Sequence, residues 1–499
     1  MSDVPVLLAI TTRPSTPALA LALGVTALGW LALRRAMWAA APPRPAPAGD
    51  ERPRPARNGW MEPPAVVGLL ANDYTVPPTA VTATALDLAS RGWIQVANAG
   101  NELVVFTRGS GRQGDALRPF EQQVLNHLAA QTFDGVTSTA TLAAAQHRLT
   151  RRWWRRFRVG VVATSREYGL TRGRYGPEQL AGPALAAVLA LVLVVVAWRT
   201  GDEQISTADS LAPRLVWIIG LLAALGLAFD TVRVYRSVAE LPTDDGLRRT
   251  SKWLGYRARL LARIPERASV VAPPEQQRAL ADACVMGVAE HVVEQLSVAA
   301  EDDHLAWSDA GGTPHIVRVR YPTRPAYGRQ PIVVTIVGVV VLMASLVAVE
   351  MLRRVADGQL LDSLVDRFPE HDDLVANVAE ILATLMFIPI AWSIWAIIAG
   401  VVDTVSVSER VGVVVRARRP VDVTRFARGL RPLADRDRYS AFLAVDDGTR
   451  RVITAWLADE RTAAPQGAQA RVRATPLLGH VRKSEPIGTA TRRDQPLSR

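Results

Sequence analysis

Hydrophobic and polar positions follow two regimes along this chain. In five stretches charge all but disappears: Pro17 to Leu33, Ala184 to Trp198, Leu215 to Phe229, Pro331 to Met351 and Val378 to Val402. A hydrocarbon core of about 30 Å takes roughly 17–25 apolar residues of helix, so the last two stretches suffice alone. The first three need their flanks, Leu180 to Gly182 for the second and Leu211 to Pro213 for the third. For these short runs a buried core helix is the competing reading.

Elsewhere the apolar spacing is that of small soluble elements. Glu62 to Asn72 and Pro78 to Arg91 read as short helices, the second carrying Val81, Ala85 and Leu88 on one face. It stops at Arg91-Gly92 and passes into the strand Trp93 to Val96, the turn Asn98-Ala99-Gly100-Asn101 and the strand Leu103 to Thr107. Arg118 to Ala130, Thr139 to Arg148 and Arg151 to Tyr168 continue as helix, so 60–175 is expected to be a winged-helix-like domain. In 236–330 a helix is expected over Pro274 to Ala299, with Leu280, Cys284, Gly287, Val288 and His291 near one face, then the strand HIVRVRYP. The region 403–485 reads as β, with Ala470, Val472 and Ala474 alternating with Arg471 and Arg473 in ARVRAT and Asp447-Gly448 at a tight turn. Its strands at Gly412 to Ala417, Tyr439 to Val445, Arg451 to Trp456 and Gln469 to Thr475 predict a small barrel or sandwich, possible shapes including an oligonucleotide/oligosaccharide-binding barrel.

The expected fold is therefore a multi-pass α-helical membrane protein with about five transmembrane helices, a cytoplasmic winged-helix-like α/β domain and a small C-terminal β domain. Its parts are an N-terminal anchor at 1–40 (span about 17–33), a Pro/Arg-rich linker at 41–59 reading as an extended spacer, and the domain at 60–175. Transmembrane helices two and three follow at 180–235, a cytoplasmic α/β region at 236–330, helices four and five at 331–402, the β domain at 403–485 and a disordered tail at 486–499.

Charge orients this arrangement. Residues 41–180 carry 17 Arg against 11 acids and 403–499 carry 19 Lys+Arg against 11, whereas 353–377 has 3 Arg against 6 acids. Positive charge stays on the cytoplasmic side, which places the N-terminus outside, the C-terminus inside and the chain in the plasma (inner) membrane. Arg34-Arg35 directly after the first run, and the want of a basic segment before it, favour an uncleaved anchor over a signal peptide. Arg353 and Arg354 stand on the opposite side in this topology. A single cysteine, Cys284, excludes an internal disulfide. The net charge of +11 suits anionic lipid at the membrane surface as well as nucleic acid.

Four segments together resemble the YciQ-type family of bacterial membrane proteins, which is defined as a domain of unknown function. They are EPPAVVGLLANDYTVPPTAVTATALDLASRGWIQV, LPTDDGLRRTSKWLGYRARLL, DACVMGVAEHVVEQL and DHLAWSDAGG, over roughly 62 to 312. The resemblance implies an architecture but no reaction, cofactor or ligand. Members of that family place a secreted β-sandwich before the first of these spans, and here about sixteen residues precede Pro17.

Candidate chemistry is sparse. Arg151, Arg152, Arg155, Arg156 and Arg158 interleave with Trp153, Trp154 and Phe157, a composition for an amphipathic helix at an anionic interface or for base stacking; a tryptophan core seam under a solvated arginine face is the plain alternative. The helix Pro78 to Arg91 would offer base edges Thr79, Thr82, Thr84, Asp87 and Ser90 with Arg91 alone at its end, a poor set for nucleic acid. Glu350 and Glu380 are intramembrane polar candidates for an ion path near the outer ends of spans four and five. Glu290, His291 and Glu294 have ligand spacing without a third partner, and Cys284 reads as an inert packed thiol. No catalytic motif, cofactor or metal site is expected, and the expected role is a scaffold for protein partners or lipid headgroups, with a membrane-tethered nucleic-acid regulator and transport as alternatives.

Overall fold

The computed structural model describes residues 16–55, 61–99, 102–107, 115–132, 135–139, 141–142, 149–200, 211–265, 268–296, 298, 304–322, 324–356, 382–383, 385–418, 440–459 and 463–487. The expected helix at Thr139 to Arg148, most of the tail at 486–499, Gly100-Asn101 and the first residues of the fifth apolar run lie outside them or nearly so. The chain divides into two units, Met1–Glu301 and Asp302–Arg499. Among the described residues five helices are long and apolar enough to cross a membrane.

The first unit holds three of them: α1 (Thr16–Ala39), α6 (Pro177–Arg199) and α7 (Leu211–Tyr235). They pack around Leu33, Leu180, Ala187 and Leu227. With no hydrophobic drive between helices in lipid, close approach depends on small residues. At Gly29 of α1 a Cβ would collide with the Leu227 side chain and come within 2.9 Å of the Ala186 methyl.

The soluble part of this unit is built from both sides of the α6–α7 hairpin. Its first half contains α2 (Pro64–Ala71), α3 (Thr79–Ser90), the strands β1 (Ile94–Ala99), β2 (Glu102–Thr107) and β3 (Val136–Ser138), α4 (Pro119–Ala129) and α5 (Arg151–Glu167). The expected hairpin is thus a three-stranded sheet, with Val105 opposite Val96 and Thr137. The helix-to-strand passage at Gly92 is a Schellman cap: φ is +86°, Gly92 N–H donates to the Ala89 carbonyl at 3.0 Å and Trp93 N–H to Leu88 at 2.9 Å. The second half contains α8 (Asp244–Arg263), α9 (Pro274–Val285) and α10 (Glu290–Leu296). The single helix expected over Pro274 to Ala299 is broken, because Gly287 at φ +64° caps α9, with Val288 N–H donating to the Ala283 carbonyl at 3.0 Å.

The two halves form one core. α9 lies along α3, Asn72 Nδ2 donates to the Val285 carbonyl at 3.0 Å, and the Tyr74 hydroxyl reaches Thr250 Oγ1 at 3.2 Å. The division at 60–175 and 236–330 is therefore corrected to one discontinuous domain. Its halves are stitched next to the start of α6 and the end of α7 by an antiparallel ribbon, β4 (Thr171–Gly173) on β5 (Glu240–Pro242). Arg166 closes the ribbon by pairing with the buried Glu240 through two contacts, Nε at 3.0 Å and Nη2 at 2.5 Å. Residues 41–55 form neither helix nor strand, with Gly49 at φ +69° and bends at 50 and 51, and they are no free spacer: Ala48 N–H donates to the Ser251 carbonyl at 2.9 Å.

The second unit pairs α11 (Pro331–Ala356) with α12 (Phe387–Val405) through Val334, Ala396 and Ala399. Among the described residues the fifth span is the helix Phe387–Val405, which continues three residues past the expected end at Val402, and the expected start at Val378 lies outside the described residues. Its β part has β6 (Leu305–Ser308), β7 (His315–Arg320), β8 (Ser408–Arg418), β9 (Ser440–Asp446), β10 (Val452–Thr454), β11 (Trp456–Asp459), β12 (Gln469–Ala474) and β13 (Val481–Pro486). Five strands run in the order β11-β9-β8-β12-β13, and a parallel bridge between Leu457 and His480 brings β11 back beside the start of β13. This is a small barrel with the circuit of an oligonucleotide/oligosaccharide-binding fold. Val414, Leu443, Trp456, Ala470, Val472 and Ala474 fill it. The strand expected at Arg451 to Trp456 is split: β10 leaves the barrel to pair in parallel with β7. Residues 305–321, assigned by sequence to the region 236–330, therefore belong with the β domain, and Val317, Val319 and Tyr321 cover the barrel wall at Val415 and Ala444.

His315 and Asp446 join these two sheets. Nδ1 of His315 faces the Thr313 carbonyl at 2.7 Å and Nε2 faces Asp446 Oδ2 at 2.9 Å, so both ring nitrogens are satisfied only as donors. Burial alone would raise the Asp446 carboxyl, but hydrogen bonds from His315, Ser308 and the Gly448 amide outweigh it and hold the group below its usual range. A depressed folded value stabilises above the unfolded one, about 4, and that stability is lost as pH falls through the folded value. Thermal unfolding of the full chain in detergent from pH 6 downward should show a loss that is smaller in Asp446→Asn; equal losses would contradict the assignment.

Candidate functional site

Helix α5 starts at Thr150, whose hydroxyl accepts from the Trp153 amide at 3.2 Å. From there the period of 3.6 sends Phe157, Val161 and Val162 into the core and leaves Arg151, Arg152, Arg155 and Arg156 exposed. Phe157 meets Phe120 edge to face at 6.0 Å, and Trp153 stacks on Phe157 at 5.7 Å with an interplanar angle of 9°. Trp154 contacts the same ring edge-on at 6.2 Å, and both tryptophans remain half-buried. Arg158, also half-buried, turns its Nε back to the Trp154 carbonyl at 3.4 Å. The seven residues singled out by sequence thus lie on one helix, with four guanidiniums in solvent above an aromatic seam. At its other end the helix is tied through Arg166 to the β4–β5 ribbon, at the feet of α6 and α7.

The remaining sequence candidates fall elsewhere. Helix α3 is buried almost all round: Thr82, Thr84, Asp87 and Ser90, read from sequence as its offered face, are covered. That correction removes it as a groove-reading helix, because α9, from 200 residues further along, occupies the face concerned. Glu350 is exposed near the far end of α11 with Oε1 3.0 Å from Arg354 Nε, and Glu380 lies outside the described residues. His291 and Glu294 approach to 3.8 Å on the exposed face of α10, and among the described residues no three His, Cys, Asp or Glu side chains cluster as a metal site. Cys284 is buried, and burial pushes its thiol upward.

Sequence reasoning missed a network of buried charges in the same domain. Glu62, Asp87, Glu121 and Asp282 are all shielded from solvent. Asp87 pairs with Arg91 at 3.1 Å and with Arg278; Glu62 pairs with Arg249, whose Nη2 lies 2.9 Å from Oε2. Arg91 also bridges Asp115 at 2.8 Å and Glu121 at 3.1 Å, and the Trp93 indole donates to Asp115 at 2.8 Å. Asp282 meets Arg52 of the linker at 2.8 Å. The available signal was an acid at an apolar position of a helix, as in TALDLAS and ALADACV.

Residues 61–296 match the family described as predicted membrane protein (DUF2207) C-terminal domain. Over that range the family resemblance is shown. The DUF2207 match begins beside Glu62 and ends at the last residue of α10, so it coincides with the discontinuous domain and the hairpin inserted in it. The stretches that carry the resemblance build its junctions. LLANDY supplies Asn72 and Tyr74 and a turn with φ of 51° at Asp73, and LPTDDG supplies β5 and the Thr243 cap of α8, whose hydroxyl accepts from the Gly246 amide at 3.1 Å. No curated protein and no solved structure matches the chain. The DUF2207 match and the five long apolar helices make this a multi-pass helical membrane protein.

Proposed function

We propose that the chain is a non-enzymatic scaffold of the plasma (inner) membrane, displaying its soluble modules to protein partners and engaging anionic lipid headgroups through α5. The observation that carries this reading is the exposure of Arg151, Arg152, Arg155 and Arg156 over the half-buried Trp153 and Trp154. Arginine beside tryptophan suits the interface, where rings sit at headgroup depth and each cation near an anionic surface contributes about 1 kcal/mol. The use of the buried acids points the same way, since Glu62, Asp87, Asp282 and Asp446 are each engaged in ion pairs.

In the favoured topology the N-terminus is outside and the C-terminus in the cytoplasm. The support is that α1, α6 and α7 all join the soluble domain at one end, where Arg34, Arg35, Arg174, Arg233 and Arg236 gather. The exception at Arg353 and Arg354 is softened by the pairing of Arg354 with Glu350, which also favours a solvated ion pair over an ion path there.

Full-length protein carrying Arg155→Cys, in nanodiscs of phosphatidylcholine alone or with phosphatidylglycerol, tests the lipid contact by maleimide labelling. Cys284, being buried, stays silent. Labelling should slow about fivefold with the anionic lipid and recover when Arg151, Arg152 and Arg156 become Gln. Equal rates in both discs would dismiss the lipid reading, and slowing by an oligonucleotide in neutral discs would favour nucleic acid instead.

A further inference from the structure

We infer that residues 48–54 form a latch, joining the first span to the soluble domain through an ion pair between Arg52 and Asp282 that opens when Arg52 is withdrawn. The segment leaves α1 with the Ala40 carbonyl accepting from Arg174 Nε at 2.7 Å and then crosses α8, bending at Gly49 to Glu51. It is fastened at three points. Ala48 N–H donates to the Ser251 carbonyl at 2.9 Å, the Arg54 carbonyl accepts from Arg249 Nη2 at 2.8 Å, and Arg52 Nη2 lies 2.8 Å from Asp282 Oδ2. Helix α8 is shaped to receive it: a Cβ at Gly255 would collide with the Gly49 carbonyl and stand 2.7 Å from that of Ala48. Residues 46–51 are exposed, whereas Pro42 before them and Pro53 after them are buried.

The pair is asymmetric. Asp282 is fully buried on α9, inside the core, whereas the Arg52 side chain is 32% exposed and sits on the irregular segment that follows α1. Arg278, one turn earlier on α9, hydrogen-bonds Asp87 and the Glu62 carbonyl, the latter at 3.0 Å, and attracts Asp282 through space; burial still pushes the Asp282 carboxyl upward against both Arg278 and Arg52, so the carboxylate depends on keeping its cations. A buried carboxylate is costly without a cation facing it, so removing Arg52 penalises the core and not merely the linker. Any displacement of α1 that draws on residues 41–51 therefore acts on α9. This makes the linker a mechanical connection between the first span and the domain, with Asp282 as its receiving element.

The test uses the full chain in nanodiscs, with two readouts: cleavage after Glu51 by a glutamate-specific protease and the midpoint of thermal unfolding. Arg52→Gln should speed cleavage about tenfold and lower the midpoint. Asp282→Asn should also speed cleavage, and in its background Arg52→Gln should change neither readout further. Deleting Ala46 and Pro47, which shortens the linker, should lower the midpoint in the native background and lose that effect with Asp282→Asn. If Arg52→Gln alone does not fold, the double variant is expected to fold. The latch is overturned if Arg52→Gln leaves both readouts unchanged, if its effect adds to that of Asp282→Asn, if the shortened linker behaves as native, or if the double variant fails to fold.

Discussion

Replacing residues 175–238 by a short glycine-rich turn is expected to yield a soluble, cooperatively folding protein from residues 46–298, which keeps Arg52 opposite Asp282, while a fragment ending at 175 stays without fixed tertiary structure. The ribbon makes the replacement geometrically simple, since Gly173 already faces Glu240 and Arg174 N–H donates to the Ala239 carbonyl at 3.1 Å. The fragment loses the whole of α8 to α10. Gly68 and Val285 pack so closely that a Cβ at 68 would stand 3.0 Å from the Val285 side chain, and without α9 that surface faces water. Glu62 and Asp87 would also keep their burial tendency without Arg249 and Arg278. A buried pair broken on one side costs about 3–5 kcal/mol, against a whole stability of about 5–15 kcal/mol, so two such losses suffice to unfold it. Near-ultraviolet circular dichroism and thermal unfolding decide the matter. A fragment 61–175 that melts cooperatively would show that the halves are independent after all.

The second large effect is expected at Asp87. Two guanidiniums converge on this carboxylate, Arg91 at 3.1 Å and Arg278, on a helix with no solvent face to relax toward. Asp87→Ala leaves both cations partly buried and should destabilise the full chain by about 3 kcal/mol. Asp87→Asn should cost less, because the amide oxygen still accepts a hydrogen bond. Asp87→Ala combined with Arg278→Met should recover part of the loss, since the pair is then replaced by apolar contact instead of being broken. Chemical denaturation of the three variants measures this, and a change below about 0.5 kcal/mol for Asp87→Ala would mean that the pair is dispensable.

What could be read in the sequence was what depends on near neighbours. The apolar runs marked the spans because lipid demands unbroken length, and the passage SRGWIQV marked a helix turning into a strand because Gly92 supplies the left-handed residue of its cap. The alternation in ARVRAT gave the buried face of β12 correctly, with Ala470, Val472 and Ala474 inside the barrel. The arginines and tryptophans of α5 were likewise visible, since a single helix brings them together.

What depends on distant partners was not legible. From sequence the polar residues of α3 read as exposed, because composition alone gives a helix with Thr, Asp and Ser a wet face, and only α9 makes that face interior. The third strand, Val136–Ser138, is three residues long and carries no periodic signal of its own. The break at Gly287 was hidden inside an otherwise helical pattern, and β10 could not be told from β11 because one apolar run feeds two sheets. The linker's proline content pointed to a spacer, whereas its fastening rests on Ser251, Arg249 and Asp282 and on the room left by Gly255, all about two hundred residues or more further along.

The ribbon at the membrane surface also sets an order of events during synthesis. Residues 61–175 emerge from the ribosome well before β5 and α8, with about sixty residues of hairpin between, and at 5–20 residues per second the wait lasts several seconds. Throughout that interval Glu62 and Asp87 await the arginines that neutralise them. Maturation of the domain therefore follows synthesis of the hairpin, so a chain that stops within the second or third span never completes its core.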